Sequence, residues 1–158
     1  MTRKNTGFTL VEILIVVIIL GILAAIVIPQ FTEASNDARK SALVSDLQTV
    51  RSQVELYKVQ HLEVLPGGDA NSWDATTFHD QLTMFTDVSG NTNASKSTTY
   101  KYGPYLQKFP TNAFNDSSAV KKVTADPNAD GDISGTEGWW FNPSNGRFGA
   151  NYAAYWQY

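Results

Sequence analysis

Residues 8–28 read FTLVEILIVVIILGILAAIVI, and this stretch decides how the rest of the chain is read. Eighteen of its 21 residues are apolar, and only Glu12 is charged. As a helix it would be about 32 Å long, enough to cross a bilayer core. A buried core helix of that length would carry a polar face, and none is present. A secretory signal would have a shorter apolar stretch with a small-residue cleavage site after it. Here Ala24 and Ala25 are followed by further apolar residues. The pattern predicts a membrane-inserted helix. Residues 1–7 carry Arg3, Lys4 and no acid, so the positive-inside rule keeps that end cytoplasmic and sends everything after Ile28 across the membrane.

The whole-chain averages hide this segment. The chain has 158 residues, 42% of them hydrophobic and 17% charged, with a net charge of −3. Beyond residue 28 the body is polar and rich in Gly, Asn, Ser and Thr. An acidic chain with no Lys/Arg cluster is a poor nucleic-acid binder. Zero cysteines exclude disulfides, thiolate zinc sites and a thiol nucleophile. There is no P-loop, GxGxxG, HExxH or spaced Ser/His/Asp set, and His61 and His79 stand alone, so no catalytic centre is expected.

Glu12 is the anomaly. An ionised carboxylate among Ile, Leu and Val costs several kcal/mol unless it reaches the interface or finds a partner. Snorkelling to the headgroups is one reading. A partner charge is the other, and no basic residue lies in the segment to supply it. An intermolecular cation would serve, as would a new amine made by cleavage just before Phe8.

The stretch KNTGFTLVEILIVVIILGILAAIVIPQF resembles the N-terminus of the type IV pilin and type II secretion pseudopilin superfamily, with a short basic leader ending in Gly and a Phe-Thr-Leu-hydrophobic-Glu opening. The resemblance implies a leader at 1–7, cleavage after Gly7 by a prepilin peptidase and N-methylation of Phe8. It also implies that Glu12 neutralises the terminal amine of a neighbouring subunit. The mature chain would keep ten Lys/Arg against fifteen Asp/Glu. The implied fold is α+β: a long N-terminal transmembrane and spine helix packed on a small C-terminal antiparallel β-sheet domain.

Pro29 ends or kinks the purely apolar stretch, and in the family a proline here accompanies a bend. The helical pattern resumes beyond it. Leu43, Leu47, Val50, Val54 and Tyr57 form an apolar stripe, with Asp37, Arg39, Lys40, Asp46, Arg51, Glu55 and Lys58 mostly off it. The expected organisation is a transmembrane helix over 8–28, a soluble spine half over 29–62 that stops before Pro66-Gly67-Gly68, and a globular domain over 63–158.

Within that domain Asp74 can cap a short helix carrying Phe78, Leu82 and Phe85. Residues 87–99 read as a loop. Residues 100–115, YKYGPYLQKFPTNAFN, read as extended and turning, and resemble the stretch after the spine in major pseudopilins. Strands are expected over 119–124, 138–141 and 147–156, with Asn145 and Gly146 turning the last hairpin. The aromatics of this tail are expected to pack over the spine, an aromatic glycan-binding face being the lesser reading.

Residues 126–137, DPNADGDISGTE, match the twelve-residue EF-hand loop pattern. Asp126, Asn128 and Asp130 occupy positions 1, 3 and 5, Asp132 offers its carbonyl at 7, and Glu137 closes the loop at 12. Gly135 and Gly138 argue against an exiting helix, so the expectation is a structural calcium loop set between strands; the alternative is an acidic, solvated turn. Major pseudopilins are known for such an ion near the C-terminus. The function implied is a subunit of a type II secretion pseudopilus. It would lie in the bacterial inner membrane, N-terminus cytoplasmic and C-terminal domain periplasmic, until assembly into a homo-oligomeric helical filament. Its partners would be the prepilin peptidase, other pseudopilins and the inner-membrane secretion platform. A type IV pilin for adhesion, motility or DNA uptake is the alternative, and the missing cysteine pair counts against it. A non-polymerising membrane-anchored calcium- or glycan-binding module is the remaining reading.

Overall fold

The structure is a computed structural model and describes residues 7–68, 71–127 and 133–158. One helix, α1, runs from Leu10 to Gln60 without interruption and contains Pro29. The chain divides into two compact units, Met1–Ala38 and Arg39–Tyr158.

The first unit is helix throughout its described length beyond Thr9, and every side chain over 7–38 is exposed. Its helix is long and apolar enough to cross a membrane, and up to Ile28 it is apolar on all sides apart from Glu12, as a lipid-facing helix is. A helix pairs its backbone groups along its own length, the condition for crossing hydrocarbon, and here Pro29 leaves the Ala25 carbonyl without that bond.

The second unit is built on the remainder of α1. Leu43, Leu47, Val50, Val54 and Tyr57 are all buried, so the stripe is the helix's core face. Fully burying one such aliphatic side chain contributes roughly 1.5–3 kcal/mol. Arranged around this face are α2 (Ala75–Thr83), a two-stranded antiparallel pair β1 (Phe85–Thr86) and β2 (Thr92–Asn93), and a three-stranded sheet of β3 (Val120–Lys122), β4 (Trp139–Asn142) and β5 (Arg147–Ala150). Phe78 and Leu82 of α2 join Trp139, Phe141, Phe148 and Val120 of the sheet in one core with the stripe. Asp74 caps α2 as expected, its carboxylate accepting from Thr77 N–H at 2.7 Å. Phe85 lies past the helix, in β1.

The sheet corrects two expectations. It is mixed rather than antiparallel: β4 pairs antiparallel with β5 but parallel with β3. A parallel pair requires a crossover, and residues 123–138, which hold the proposed calcium loop, are that crossover. Strand β5 also ends at Ala150 instead of running to 156. There Asn151 turns its side chain onto Ser134 and Glu137, and the chain coils into turns closed by Tyr155 N–H on Tyr152 O. The β4–β5 loop spans 143–146, with Gly146 at φ 76° donating to Asn142 O at 2.8 Å. Residues 92–93, within the stretch read as loop, form β2.

Most of this unit is loop, and buried amides hold the loops in place. Gln81 accepts from Gly67 N–H at 2.7 Å and donates to Gly90 O at 2.8 Å. Asn112, fully buried, donates to Gly138 O at 2.8 Å and accepts from Phe114 N–H. Each amide satisfies backbone groups that no strand pairs, which is how a loop is buried without leaving polar groups orphaned.

Candidate functional site

Two places in the chain carry candidate chemistry, the start of α1 and the crossover loop. Residues 1–6 of the expected leader lie outside the described residues. Gly7, Phe8 and Thr9 precede the helix, and Phe8 is 84% exposed. Glu12 turns back on this start. Its Oε2 accepts from Thr9 N–H and from Thr9 Oγ1, both at 2.7 Å, while Glu12 N–H lies 3.3 Å from Thr9 Oγ1. Thr9 is thus the N-cap and Glu12 the third helical residue, a capping box that answers two of the helix's unpaired donors. The Thr-x-x-Glu spacing was legible in the sequence, and it supplies a partner for Glu12 that charge reasoning missed. Pro29 sits inside α1, where it lacks the N–H that would bond Ala25.

In the crossover loop, Asn128, Asp130 and Asp132 lie outside the described residues, so of the expected calcium set only Asp126 and Glu137 are placed. Asp126 is clamped to the β4–β5 hairpin. Its Oδ1 accepts from Asn142 Nδ2 at 2.9 Å, its Oδ2 from Arg147 at 2.5 Å, and Asn145 Nδ2 reaches both oxygens at 3.2 Å. Partial burial works against ionisation of Asp126, but the two amides and the guanidinium outweigh it and hold its carboxyl below the usual carboxylate range. Glu137 accepts from Ser134 Oγ at 2.6 Å and Asn151 Nδ2 at 3.0 Å. The Ser134 bond, against partial burial and helped by the charge of Lys121, lowers its pKa too. Among the described residues no group of three or more His, Asp or Glu converges as a metal cluster.

Both histidine rings are packed, that of His79 stacking on Phe109 at 4.1 Å between centroids. His61 is buried, its Nδ1 2.8 Å from Tyr57 O and Nε2 2.9 Å from Thr86 Oγ1, with its ring stacked on Tyr57. From its spacing Arg51 lies off the apolar stripe. In the structure its Nε donates to Phe148 O at 2.8 Å and its Nη2 to Tyr158 O, so it caps the open edge of β5. No sequence signal marked it, because the acceptors lie 97 and 107 residues away.

The N-terminal sequence has counterparts. Residues 2–28 match the family model described as the prokaryotic N-terminal methylation motif. The chain carries that motif. It is also similar to proteins named type II secretion system core protein G. That of Dickeya chrysanthemi is 41% identical over 61 residues, 39% of this chain and 40% of the relative. Those of Aeromonas hydrophila and Klebsiella pneumoniae are each 29% identical over 108 residues, 68% of this chain and 66% and 68% of the relatives. The chain thus spans about two fifths of the length of the first relatives, those of Dickeya chrysanthemi and Pseudomonas aeruginosa. No solved structure matches it. The resemblance to the pilin-like superfamily, and within it to the major pseudopilins, stands on both the motif and these relatives.

Proposed function

We propose that the chain is a non-enzymatic structural subunit of a type II secretion pseudopilus. The observation that carries this reading is the methylation motif at the head of a fully exposed apolar helix, joined to a small folded domain. The subunit waits in the inner membrane with its N-terminus cytoplasmic and its C-terminal domain periplasmic. A prepilin peptidase cuts after Gly7, and Phe8 is methylated. On assembly Glu12 leaves the capping box and meets the amine of a neighbouring Phe8, while Pro29 loosens the helix so that spines pack closely. The apolar helices then exchange lipid for one another in the filament core, and the platform and other pseudopilins supply the assembly machinery.

Co-expression with a prepilin peptidase, followed by intact-mass measurement, tests this. The expected product lacks residues 1–7 and carries one methyl group; an unprocessed chain overturns the reading. A Glu12→Ala variant is expected to be processed and yet fail to assemble, and normal assembly would remove the role given to that carboxylate.

The 126–137 loop is proposed to hold a structural calcium through Asp126, Asn128, Asp130, the Asp132 carbonyl and Glu137. Calcium would supply a hard cation to neutralise four carboxylates and staple a domain without disulfides. The oxygen donor set fits that ion. Glu137 is ionised and held in place by Ser134 and Asn151. Asp126 is ionised as well, but Arg147 already occupies Oδ2, so Asp126 must release Arg147 to serve as a ligand. A domain that melts at the same temperature in calcium and in chelator would end this assignment.

A further inference from the structure

Trp140 is as buried as the core, at 3% exposure, yet it lies on the other face of the sheet. Its strand neighbours Trp139 and Phe141 belong to the core cluster with the α1 stripe, as do their partners Ala150 and Phe148. Side chains alternate across a strand, so Trp140 and its partner Gly149 face away from α1. The indole lies over Gly149 and fills the space a Cβ would take, with Nε1 2.6 Å from the ideal Cβ position. On its other side Lys121 of β3 is its partner.

The two ends of the 126–137 loop are tied to this same face, one on each side of Trp140. Asn142 and Arg147 form the next pair on that face, and both bond Asp126. In the opposite direction Asn151 N–H pairs with Gly138 O at 3.0 Å. The Asn151 side-chain amide then holds Ser134 Oγ at 2.7 Å and Glu137 Oε2 at 3.0 Å. The indole thus lies between the anchors of the two carboxylates that open and close the loop.

The indole nitrogen has nothing to do there. Trp140 Nε1 is buried and has no hydrogen-bond partner among the described residues. An indole nitrogen can only donate, and a buried donor left unpaired loses its water contacts without return. Trp73 Nε1 is the other such atom among the described residues, and it lies against Gly67. Metal sites use such donors. A side chain outside the ligand set bonds a ligand's remaining lone pairs and fixes its orientation. Asp126, which must give up Arg147 to serve as a ligand, brings two oxygens to the same face as the indole.

We propose that Trp140 is a positioning residue of the calcium loop: its ring is the floor of the site, and in the loaded loop its N–H donates to an oxygen of a liganding residue. The inference rests on the calcium reading and adds to that site a residue outside the twelve-residue pattern. The pattern does not mark it, because Trp140 follows the loop in sequence and meets it only through the pleat of β4 and the return of β5.

The test titrates calcium chloride against the full chain in detergent micelles, with EGTA as the metal-free control, for wild type and Trp140→Phe. The variant keeps an aromatic ring over Gly149 and removes the donor. Packing lost with the smaller ring lowers the melting temperature alike in calcium and in EGTA, so the calcium-induced rise isolates the N–H. That rise is expected to shrink, with calcium affinity falling about tenfold or more. NMR of the wild-type chain gives a readout that does not depend on the variant's folding. Calcium is expected to move the Trp140 indole proton downfield and to slow its exchange with solvent. Equal calcium affinity in wild type and variant, or an indole proton that calcium leaves in place, would overturn the role of Trp140 and leave the calcium reading standing. A wild-type chain whose melting and spectrum are the same in calcium and in EGTA would instead remove the calcium reading itself.

Discussion

At the scale of single residues, carboxylates share with the buried amides the organisation of the chain outside the apolar core. Glu12 closes a capping box on Thr9, and Asp126 and Glu137 each gather donors from elements distant in sequence. Asp126 and Glu137 have pKa values lowered in the folded state. The stability they contribute is therefore present above their unfolded values, about 4, and is lost as pH falls through the folded ones. Melting temperatures measured from pH 7 down to pH 3 are expected to fall below about pH 4. The fall should be shallower in Asp126→Asn, which has one carboxylate fewer to protonate. Arg147→Ala makes a second prediction. On the calcium reading proposed above, losing the guanidinium removes one competing donor from Asp126, so calcium should raise the melting temperature of this variant more than that of wild type.

At the scale of elements, the helical periodicity was the most legible feature. The stripe from Leu43 to Tyr57 was read from spacing alone, and all five residues are buried. Leu47→Ala is expected to cost about 2–5 kcal/mol in denaturant unfolding. The Asp74 cap and the hairpin glycine were equally readable, because a cap or a turn depends on residues within four positions of one another. Strand partners and loop pins were not. Gly149 is needed because the ring of Trp140 lies where a Cβ would go, with 2.3 Å from the ideal Cβ position to the nearest ring atoms. Gln81 appears as an ordinary polar helix residue until the two loops that it joins are seen. Gln81→Leu keeps the side chain's bulk but leaves Gly67 N–H and Gly90 O unpaired. It should destabilise the domain by about 1–3 kcal/mol for each orphaned group, with amide exchange quickening first around Gly67.

At the scale of the whole molecule, the chain is written for two solvents. Residues 8–28 are expected to keep the full chain in the membrane fraction through a carbonate wash, with residues beyond 40 open to protease only from the periplasmic side. By itself the sequence determined the membrane-grade helix, its charge asymmetry, the methylation motif over residues 2–28, and the core face of the spine. Each of these depends on composition or on spacings within a few helical turns. Only the tertiary structure decided that β3 runs parallel to β4, that β5 stops at Ala150, that Arg51 caps the sheet edge, and that Asp126 belongs first to the hairpin. These depend on contacts between residues 14 to 107 positions apart. Such contacts form only after the backbone has folded, and the order of residues along the chain does not encode them locally.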